Sequence, residues 1–315
     1  MNPVEASTPA ALVHPTALAR PTVLARVRDW SSMTRPRIGG FVFFSALTGG
    51  LVSGEVVSLA RSAEAGAWIA LSAAGASVFN QILEKQSDGA MRRTADRPLP
   101  TGRIGVRDAL LFATALETAA IAGLALRFEL LAALLALATF ASYVLVYTPL
   151  KRLSSLNTVV GALPGAMPPL LGALALARAP SPLAWSLFAI LFAWQFPHFM
   201  AIGWLYRDDY RRAGIRMLPA LGVRGVAGLQ AIGYSLACLV VSLVPALQGR
   251  AGVLYGAAAA VLGLAYVASS IHFARREDDA RARVLLRVSL IYLPLVYSFL
   301  LLDPLVRASS VLAAN

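Results

Sequence analysis

Nine apolar runs dominate the chain, and each is close to the ~20 residues that an α-helix needs to cross a bilayer. They cover about residues 38–57, 65–84, 108–127, 129–148, 157–177, 183–205, 227–247, 252–273 and 285–303. The runs are too long and too continuously apolar for barrel strands, and backbone groups in lipid must be satisfied within their own segment. The pattern therefore predicts an all-α polytopic membrane protein with nine transmembrane helices.

The ends of the chain differ from this pattern. Residues 1–32 are rich in Ala, Pro and Thr and lack a continuous apolar core, so no secretory signal is predicted. We expect a flexible N-terminal tail with a short helix on the membrane surface at about 22–33. The transmembrane domain is placed at 33–305, and 306–315 form a C-terminal tail.

Composition supports the membrane assignment. The 315 residues are 58% hydrophobic and only 14% charged, whereas soluble domains are about 25% charged. A net charge of +12 is compatible with nucleic-acid binding, but so apolar a chain has no long solvated basic face, and no nucleic-acid partner is predicted. The single cysteine, Cys238, excludes a disulfide framework within the chain and a metal site built from cysteines.

The basic residues predict the orientation. Of the 28 Lys and Arg residues, 23 lie in the N-terminal segment and in the loops after the second, fourth, sixth and eighth runs. The positive-inside rule places these segments, including the N-terminus, on the cytoplasmic side. The short tail and the Ala- and Arg-rich composition favour a bacterial cytoplasmic (inner) membrane over a mitochondrial inner membrane.

Three oxygen-bearing side chains end the second run in NQILEKQSD: Asn80, Glu84 and Asp88. Steps of four keep them on one helix face over ~12 Å. Such a face suits a hard cation, because Mg²⁺ takes carboxylate oxygens together with substrate phosphates. The alternative is a helix end in the headgroup region whose acids pair with nearby arginines.

A second acidic cluster follows the sixth run, in WQFPHFMAIGWLYRDDYRRAG at 194–214. Asp209 is the better metal-ligand candidate, with Asp208 as its neighbour. Gln195 and His198 lie within the run, and Pro197 is expected to kink it. The alternative is a solvated loop.

Basic side chains accompany these acids in YTPLKRLSSLNTVVGALPGAMPPLLG at 147–172, where Lys151 and Arg152 could clamp a diphosphate. The glycines and prolines that follow have two interpretations. They allow close helix packing, or they break a helix that lines a cavity. Carboxylates, cations and an apolar cavity together suit a prenyl diphosphate.

The pattern N-x-x-x-E-x-x-x-D-x-x-M-x-R-T-x-x-R-P-L at 80–99 resembles the first acidic motif of the UbiA superfamily of intramembrane prenyltransferases. Its M-x-R-T-x-x-R-P form is similar to that of the protoheme IX farnesyltransferase (haem O synthase) family. Further similar segments are MTRPRIGG at 33–40, YTPLKR at 147–152, NTVVGALPGAMPPLLG at 157–172, WQFPHF at 194–199 and DYRRAG at 209–214.

The resemblance implies a UbiA-type bundle of nine helices with a central cavity open to the cytoplasmic side. It implies transfer of a farnesyl group from farnesyl diphosphate to a vinyl group of haem b, with addition of water, to give haem O and diphosphate. Product handover to a haem A synthase or a terminal oxidase is also expected. The implied ligands of Mg²⁺ and diphosphate are Asn80, Glu84, Asp88 and Asp209.

Other side chains receive roles in this scheme. Arg93, Lys151 and Arg152 are expected to stabilise the leaving diphosphate, and Arg92 or Arg97 to meet the haem propionates. His198 either ligates the haem iron or is a buried neutral histidine bonded to a freed carbonyl near Pro197. Further substrate-binding candidates are Tyr147, Asn157, Gln195 and Asp208.

The sequence departs from the family pattern at three positions. Glu84 replaces the commoner Asp, Arg35 replaces a Lys, and Ala213 stands where many superfamily members have another Asp. Other readings stay open: a quinone precursor or a chlorophyllide as the acceptor, or a transporter of an anionic lipid or haem. A transporter would not release diphosphate.

Overall fold

The protein is helical throughout the part that the structure describes. The computed structural model describes residues 22–53 and 58–314, with side chains through residue 303. The predicted tail up to residue 21 lies outside these ranges. The α-helices are α1 (Val23–Met33), α2 (Pro36–Leu51), α3 (Leu59–Leu83), α4 (Lys85–Ala90), α5 (Val106–Arg127), α6 (Leu130–Ala141), α7 (Thr148–Leu153), α8 (Asn157–Ala166), α9 (Pro168–Leu176), α10 (Pro182–Leu205), α11 (Arg207–Arg212), α12 (Val226–Leu247), α13 (Val253–Arg275) and α14 (Asp279–Ala314).

Eight segments of the described chain are long and apolar enough to cross a membrane. This confirms the prediction of an all-α multi-pass membrane protein, and the eight segments overlap eight of the nine predicted runs. The remaining run, 38–57, overlaps α2, whose 16 residues span only ~24 Å. The last four positions of this run, 54–57, lie outside the described residues, so the count of nine transmembrane helices stays a prediction.

The ends of the described chain are also helical. α1 covers the region of the predicted surface helix, and most of its side chains are exposed. α14 continues to Ala314, through most of the predicted C-terminal tail.

The helices close into a ring. From α2 onward, each long helix packs against a neighbour in the chain, and α14 returns to contact α2. α9 lies inside this ring, where it contacts α2, α3, α6 and α10. The broken span formed by α8 and α9 is therefore surrounded by other helices, which is where irregular backbone is tolerated in a membrane protein.

Glycines bring α2 and α9 into backbone contact. A Cβ atom added at Gly172 would lie 1.9 Å from the carbonyl oxygen of Ala46, and one at Gly49 would lie 1.9 Å from that of Pro169. Meanwhile Pro164, Gly165 and Pro168 line a cavity. Both interpretations of the Gly- and Pro-rich segment therefore apply. It packs closely against α2 on one side, and it lines a cavity on the other.

A π-helical turn, Ser142–Tyr147, joins α6 to α7. Pro149 follows it and has no N–H to donate, so a regular α-helical ladder could not continue unchanged. The Thr148 hydroxyl and N–H both bond to the Tyr143 carbonyl. π-Helical turns often mark functional sites, and this one positions Tyr147 and Lys151.

Buried tyrosines stabilise the C-terminal half, which consists of α10 and α12–α14. Tyr297 donates to the carbonyl of Leu187 at 2.7 Å, Tyr266 to that of Trp194 at 2.9 Å, and Tyr255 to that of Ser242 at 2.7 Å. Each pairs a buried hydroxyl with a carbonyl, which removes the cost of an unsatisfied polar group in the bundle. The bonds of Tyr297 and Tyr266 join α10 to α14 and α13. α10 itself continues through Pro197 as one helix.

The contact between α2 and α9 can be tested with Gly172→Ala. We expect this change to destabilise the protein by about 1–3 kcal/mol, because the added methyl group overpacks the interface. The measurement is thermal unfolding in detergent, followed by tryptophan fluorescence. Gly233→Ala is the matched control, since nothing lies within 4 Å of a Cβ atom at that helical position. Equal stability of the two variants would contradict the packing argument.

Candidate active site

The first acidic motif keeps its predicted spacing across a break between two helices. Asn80 lies in the last turn of α3, Glu84 at the junction, and Asp88 in α4. The N–H of Glu84 bonds to the carbonyl of Asn80, and that of Asp88 to the carbonyl of Glu84. This i to i−4 ladder places all three on one face, and all three side chains are buried.

A basic side chain contacts each of these three residues. Lys151 Nζ lies 2.8 Å from Glu84 Oε1, Arg97 Nη1 lies 2.6 Å from Asp88 Oδ2, and Arg35 Nη2 donates to Asn80 Oδ1 at 3.5 Å. The predicted alternative of acids paired to nearby bases is therefore partly realised. A buried carboxylate requires such compensation, so the pairing is compatible with a ligand site.

Arg35 is a site residue that reasoning from residue spacing missed. It precedes Pro36, which opens α2, and its φ of +49° lies in the left-handed region. That conformation is strained for a non-glycine residue and persists only where the surroundings enforce it. The available signal was the resemblance of MTRPRIGG to the segment before the family's first helix.

Positive charge is concentrated beside the buried oxygens. Burial lowers the pKa of the Arg97 guanidinium, and the nearby charge of Arg35 lowers it further, while Asp88 acts in the opposite direction. Arg93 also contributes to lowering this pKa. Arg35, Arg93 and Arg97, with Lys151 nearby, form a site that favours a multiply charged anion.

The π-helical turn and the start of α7 contribute further side chains to the candidate site. Lys151 Nζ lies 4.5 Å from the centroid of the Tyr147 ring, within the range of a cation–π contact. Thr148 Oγ1 accepts a hydrogen bond from Asn80 Nδ2 at 3.1 Å. Gly161 leaves room for Tyr147, since a Cβ atom there would lie 2.4 Å from the ring.

The second acidic cluster separates its two aspartates. Asp209 is buried and pairs with Arg212, whereas Asp208 has a side chain that is 67% exposed and pairs with Arg211. Asp209, the better metal-ligand candidate in the sequence, is therefore the buried member of the pair, and its role as a ligand stays a prediction. Tyr210, which was not predicted, receives a hydrogen bond of 3.5 Å from Arg93.

Backbone contacts hold the second cluster against the first. The N–H of Arg216 donates to the carbonyl of Lys151 at 2.8 Å, and Asn157 Nδ2 donates to the carbonyl of Arg216 at 3.0 Å. Met91 packs in one apolar cluster with Ile215. These contacts bring the loop after α4 and the segment around α11 together at one end of the bundle. We call it the basic end, because these segments also carry many of the Lys and Arg residues. In this arrangement Asn157 ties the loops together.

The remaining predicted residues differ in placement. Gln195 Nε2 donates to the carbonyl of Ala162 at 3.0 Å and so joins α10 to α8. Arg92 and Arg152 are exposed. Neither side chain has a hydrogen bond or an ion pair within the described part of the chain.

His198 is held by a serine rather than by a freed carbonyl. Its Nδ1 lies 2.8 Å from Ser289 Oγ, and its ring stacks on Trp194 with centroids 4.6 Å apart. The Ser289 hydroxyl is also in reach of the carbonyl of Leu286, and donation to that carbonyl favours the tautomer in which Nδ1–H donates to Ser289. Nε2 then carries the lone pair that a metal ligand needs.

An apolar cavity of about 150 Å³ lies between α2, α3, α6, α8 and α9. Arg35, which contacts Asn80, and Ile69 both line it. Ile69 and Ser77 are eight residues apart on α3, so the cavity extends at least ~12 Å along that helix. Its lining is almost wholly apolar, with Ser72, Thr139 and Tyr143 among the few polar groups. A hydrocarbon chain fits this environment.

The side chains suit Mg²⁺ by their chemistry. Among the described residues no three His, Cys, Asp or Glu side chains come together as a metal-binding group. Mg²⁺ does not require such a group, because it typically takes one or two carboxylates and completes its shell with phosphate oxygens and water. Glu84 and Asp88, with the amide oxygen of Asn80, supply the hard oxygen donors for that arrangement.

Solved structures share this fold. A digeranylgeranylglyceryl phosphate synthase matches with a TM-score of 0.73 and 14% identity, covering 88% of this chain and 98% of that one. A UbiA homologue from Aeropyrum pernix K1 matches at 0.66 and 20%, covering 84% and 96%. One from Archaeoglobus fulgidus, solved with GPP and Mg²⁺, matches at 0.61 and 16%, covering 86% and 99%.

Sequence relatives are much closer. The protoheme IX farnesyltransferase of Solibacter usitatus is 42% identical over 289 residues, covering 88% of this chain and 99% of its own length. That of Koribacter versatilis is 37% identical, covering 88% and 93%. The pattern of the UbiA prenyltransferase family matches residues 42–291. The resemblance read from the motifs is confirmed, and the chain belongs to the UbiA prenyltransferase family.

Proposed function

We propose that this protein transfers the farnesyl group of farnesyl diphosphate to a vinyl group of haem b, with addition of water, to give haem O and diphosphate. One observation carries the proposal. A row of buried carboxylate and amide oxygens, surrounded by cations, lies beside a long apolar cavity. The protoheme IX farnesyltransferases among its relatives support the choice of haem as acceptor.

The diphosphate binds among Arg35, Arg93, Arg97 and Lys151. A lysine has three donors and an arginine five, so Lys151 and Arg97 have donors beyond those that contact Glu84 and Asp88. These donate to phosphate oxygens and stabilise the charge that develops as the allylic C–O bond breaks. Arg152, exposed at the end of α7, reaches the phosphate from the aqueous side.

Magnesium belongs to the same proposal. Asn80, Glu84, Asp88 and Asp209 are the residues that would hold it. When bound, Mg²⁺ supplies Lewis acidity and neutralises charge on the diphosphate. Burial of all four side chains strengthens their electrostatic interactions relative to those in water.

The cavity receives the farnesyl chain and keeps water away from C1. A vinyl carbon of haem then forms the new bond to C1 while the C–O bond to diphosphate breaks. Water adds to the resulting cation beside the porphyrin, and the proton that it loses leaves with diphosphate. No covalent protein nucleophile takes part in this sequence.

Haem binds near the basic end in this scheme. Either Arg92, which is exposed, or Arg97, which is partly exposed, contacts the propionates. His198 Nε2 is free to ligate iron, since Ser289 holds the other ring nitrogen. Tyr147 and Gln195 then contribute to the walls around the substrates.

The proposed location is a bacterial cytoplasmic membrane with the N-terminus and the basic end facing the cytoplasm. The distribution of Lys and Arg supports this orientation. Haem O produced there would be available to a haem A synthase or a terminal oxidase in the same membrane.

The first test is mass spectrometry of haem after the protein is given haem b, farnesyl diphosphate and Mg²⁺. We expect a product with the mass of haem b plus a farnesyl group plus water. Asp88→Asn should lower its formation at least about 100-fold, because losing a positioned charge costs several kcal/mol at the transition state. Asp108→Asn, at an exposed acid outside the site, is the control.

The outcomes separate the alternative functions. Release of diphosphate only with a quinone precursor or a chlorophyllide would retain a prenyltransferase and reject haem as the acceptor. If diphosphate is never released, the enzymatic assignment is wrong and a transporter becomes the better explanation.

A second test concerns the cavity. Ala73→Leu adds bulk to its lining and should lower kcat/KM for farnesyl diphosphate about ten-fold, as expected for overpacking. Geranyl diphosphate, being shorter, should lose less. Ala74→Leu changes the next position, which does not line the cavity, and serves as control. An equal loss with both substrates would argue against this cavity as the prenyl site.

Optical spectroscopy tests iron ligation by His198. We expect the Soret band of bound haem b to shift in His198→Ala, because an axial ligand is removed, and to shift less in Ser289→Ala, which only frees the ring. Unchanged spectra in both variants would show that iron is ligated elsewhere or not at all.

A further inference from the structure

A second cavity, of about 180 Å³, lies at the basic end beside α11. Its lining includes Trp204, Arg207, Arg211, Pro219, Val223 and Arg224. None of the described residues that line it is acidic. Three guanidinium groups surround this small cavity. Arg207 and Arg211 pair with Asp279 and Asp208, while Arg224 adds a charge with no acidic partner among the described residues, so the cavity favours an anion.

The three arginines have donors left for a ligand. Arg211 uses Nε on the carbonyl of Ala220 and Nη1 on Asp208. Its Nη2 lies 3.4 Å from where a Cβ atom of Gly222 would be, on the cavity side. Arg207 uses Nη1 alone, on Trp204 and Asp279. Arg224 is exposed and has no partner within the described part of the chain.

This cavity is distinct from the candidate active site. Arg207 and Arg211 are four residues apart and therefore share one face of α11. Asp209 lies ~200° from Arg207 around the helix axis, and Tyr210 contacts Arg93 of the active site. The short helix thus presents Arg207 and Arg211 to the second cavity and carries Asp209 on the other side, and the cavity has none of the candidate active-site residues in its lining.

The surroundings of the cavity indicate an amphipathic ligand. Trp204 Nε1 is buried, yet it has no acceptor among the described residues. A buried donor of this kind calls for an oxygen partner. Leu221 is 47% exposed and Val223 57% exposed at the same edge, which provides apolar surface next to the cationic cavity. Basic pockets at the cytoplasmic surface of helical bundles commonly bind lipid headgroups.

We propose that this cavity binds a phosphate group, and the apolar edge favours the headgroup of an anionic phospholipid over free phosphate. The ligand bridges α11, the 3₁₀ turn Leu218–Leu221 and the segment 222–224 that precedes α12. Binding there holds α11, and with it Asp209, in place. This site shares no lining residue with the proposed prenyl cavity.

The test is native mass spectrometry of the full-length protein in detergent, with phosphatidylglycerol and phosphatidylcholine as probes. We expect selective binding of phosphatidylglycerol. Arg224→Gln should weaken it about five-fold, as expected for one cation near an anionic lipid surface, and Arg224→Glu should weaken it more. Arg107→Gln, at another exposed arginine of the basic end, should leave it unchanged.

Equilibrium dialysis with inorganic phosphate distinguishes the two sources of the ligand. Phosphate binding that depends on Arg224, without selective lipid binding, would support the cavity as a site for free phosphate. Equal losses in Arg224→Gln and Arg107→Gln would overturn the proposal, since the effect would be general electrostatics. Weakened haem affinity with unchanged binding of phosphate and lipid would also overturn it. These binding readouts do not depend on the proposed transferase activity.

Discussion

Compensation of charge within the membrane protein is the constraint on which the site depends. Buried carboxylates are tolerated only when cations and hydrogen bonds replace the water that they lose. Here each compensating base comes from a different segment. Lys151 reaches Glu84 from α7, Arg97 reaches Asp88 from the loop that follows α4, and Arg35 reaches Asn80 from the start of α2. The same contacts therefore satisfy the acids and join the segments that form the site.

Two packing strategies support this arrangement. In the N-terminal half, glycines allow α2 and α9 to approach until their backbones touch, and the broken span beside them leaves an apolar cavity. In the C-terminal half, buried tyrosines donate to helix carbonyls and fill the interior. The first half therefore contains space for a hydrocarbon, and the second provides a firm scaffold. α10 joins them, because it contacts α8 and α9 as well as α12 and α14.

The α11 segment shows how a short helix can serve two purposes. Its position is determined by hydrogen bonds from Arg216 to Lys151 on one side and from Arg211 to Ala220 on the other. Asp209 is buried, whereas Arg207 and Arg211 line a separate cavity. One turn of helix thus carries a buried acid on one side and part of the lining of a second cavity on the other.

Much of the protein could be predicted from the sequence because long apolar runs, loop charges and i, i+4 spacings are local properties. The runs determined the membrane helices, and the spacing of Asn80, Glu84 and Asp88 placed three oxygens on one face. Spacing cannot report contacts between distant segments. Only the tertiary structure decided that Lys151 pairs with Glu84, that Arg35 reaches Asn80, and that Asp209 rather than Asp208 is buried. These choices depend on how the helices pack, since burial and ion pairing arise where segments far apart in the chain meet.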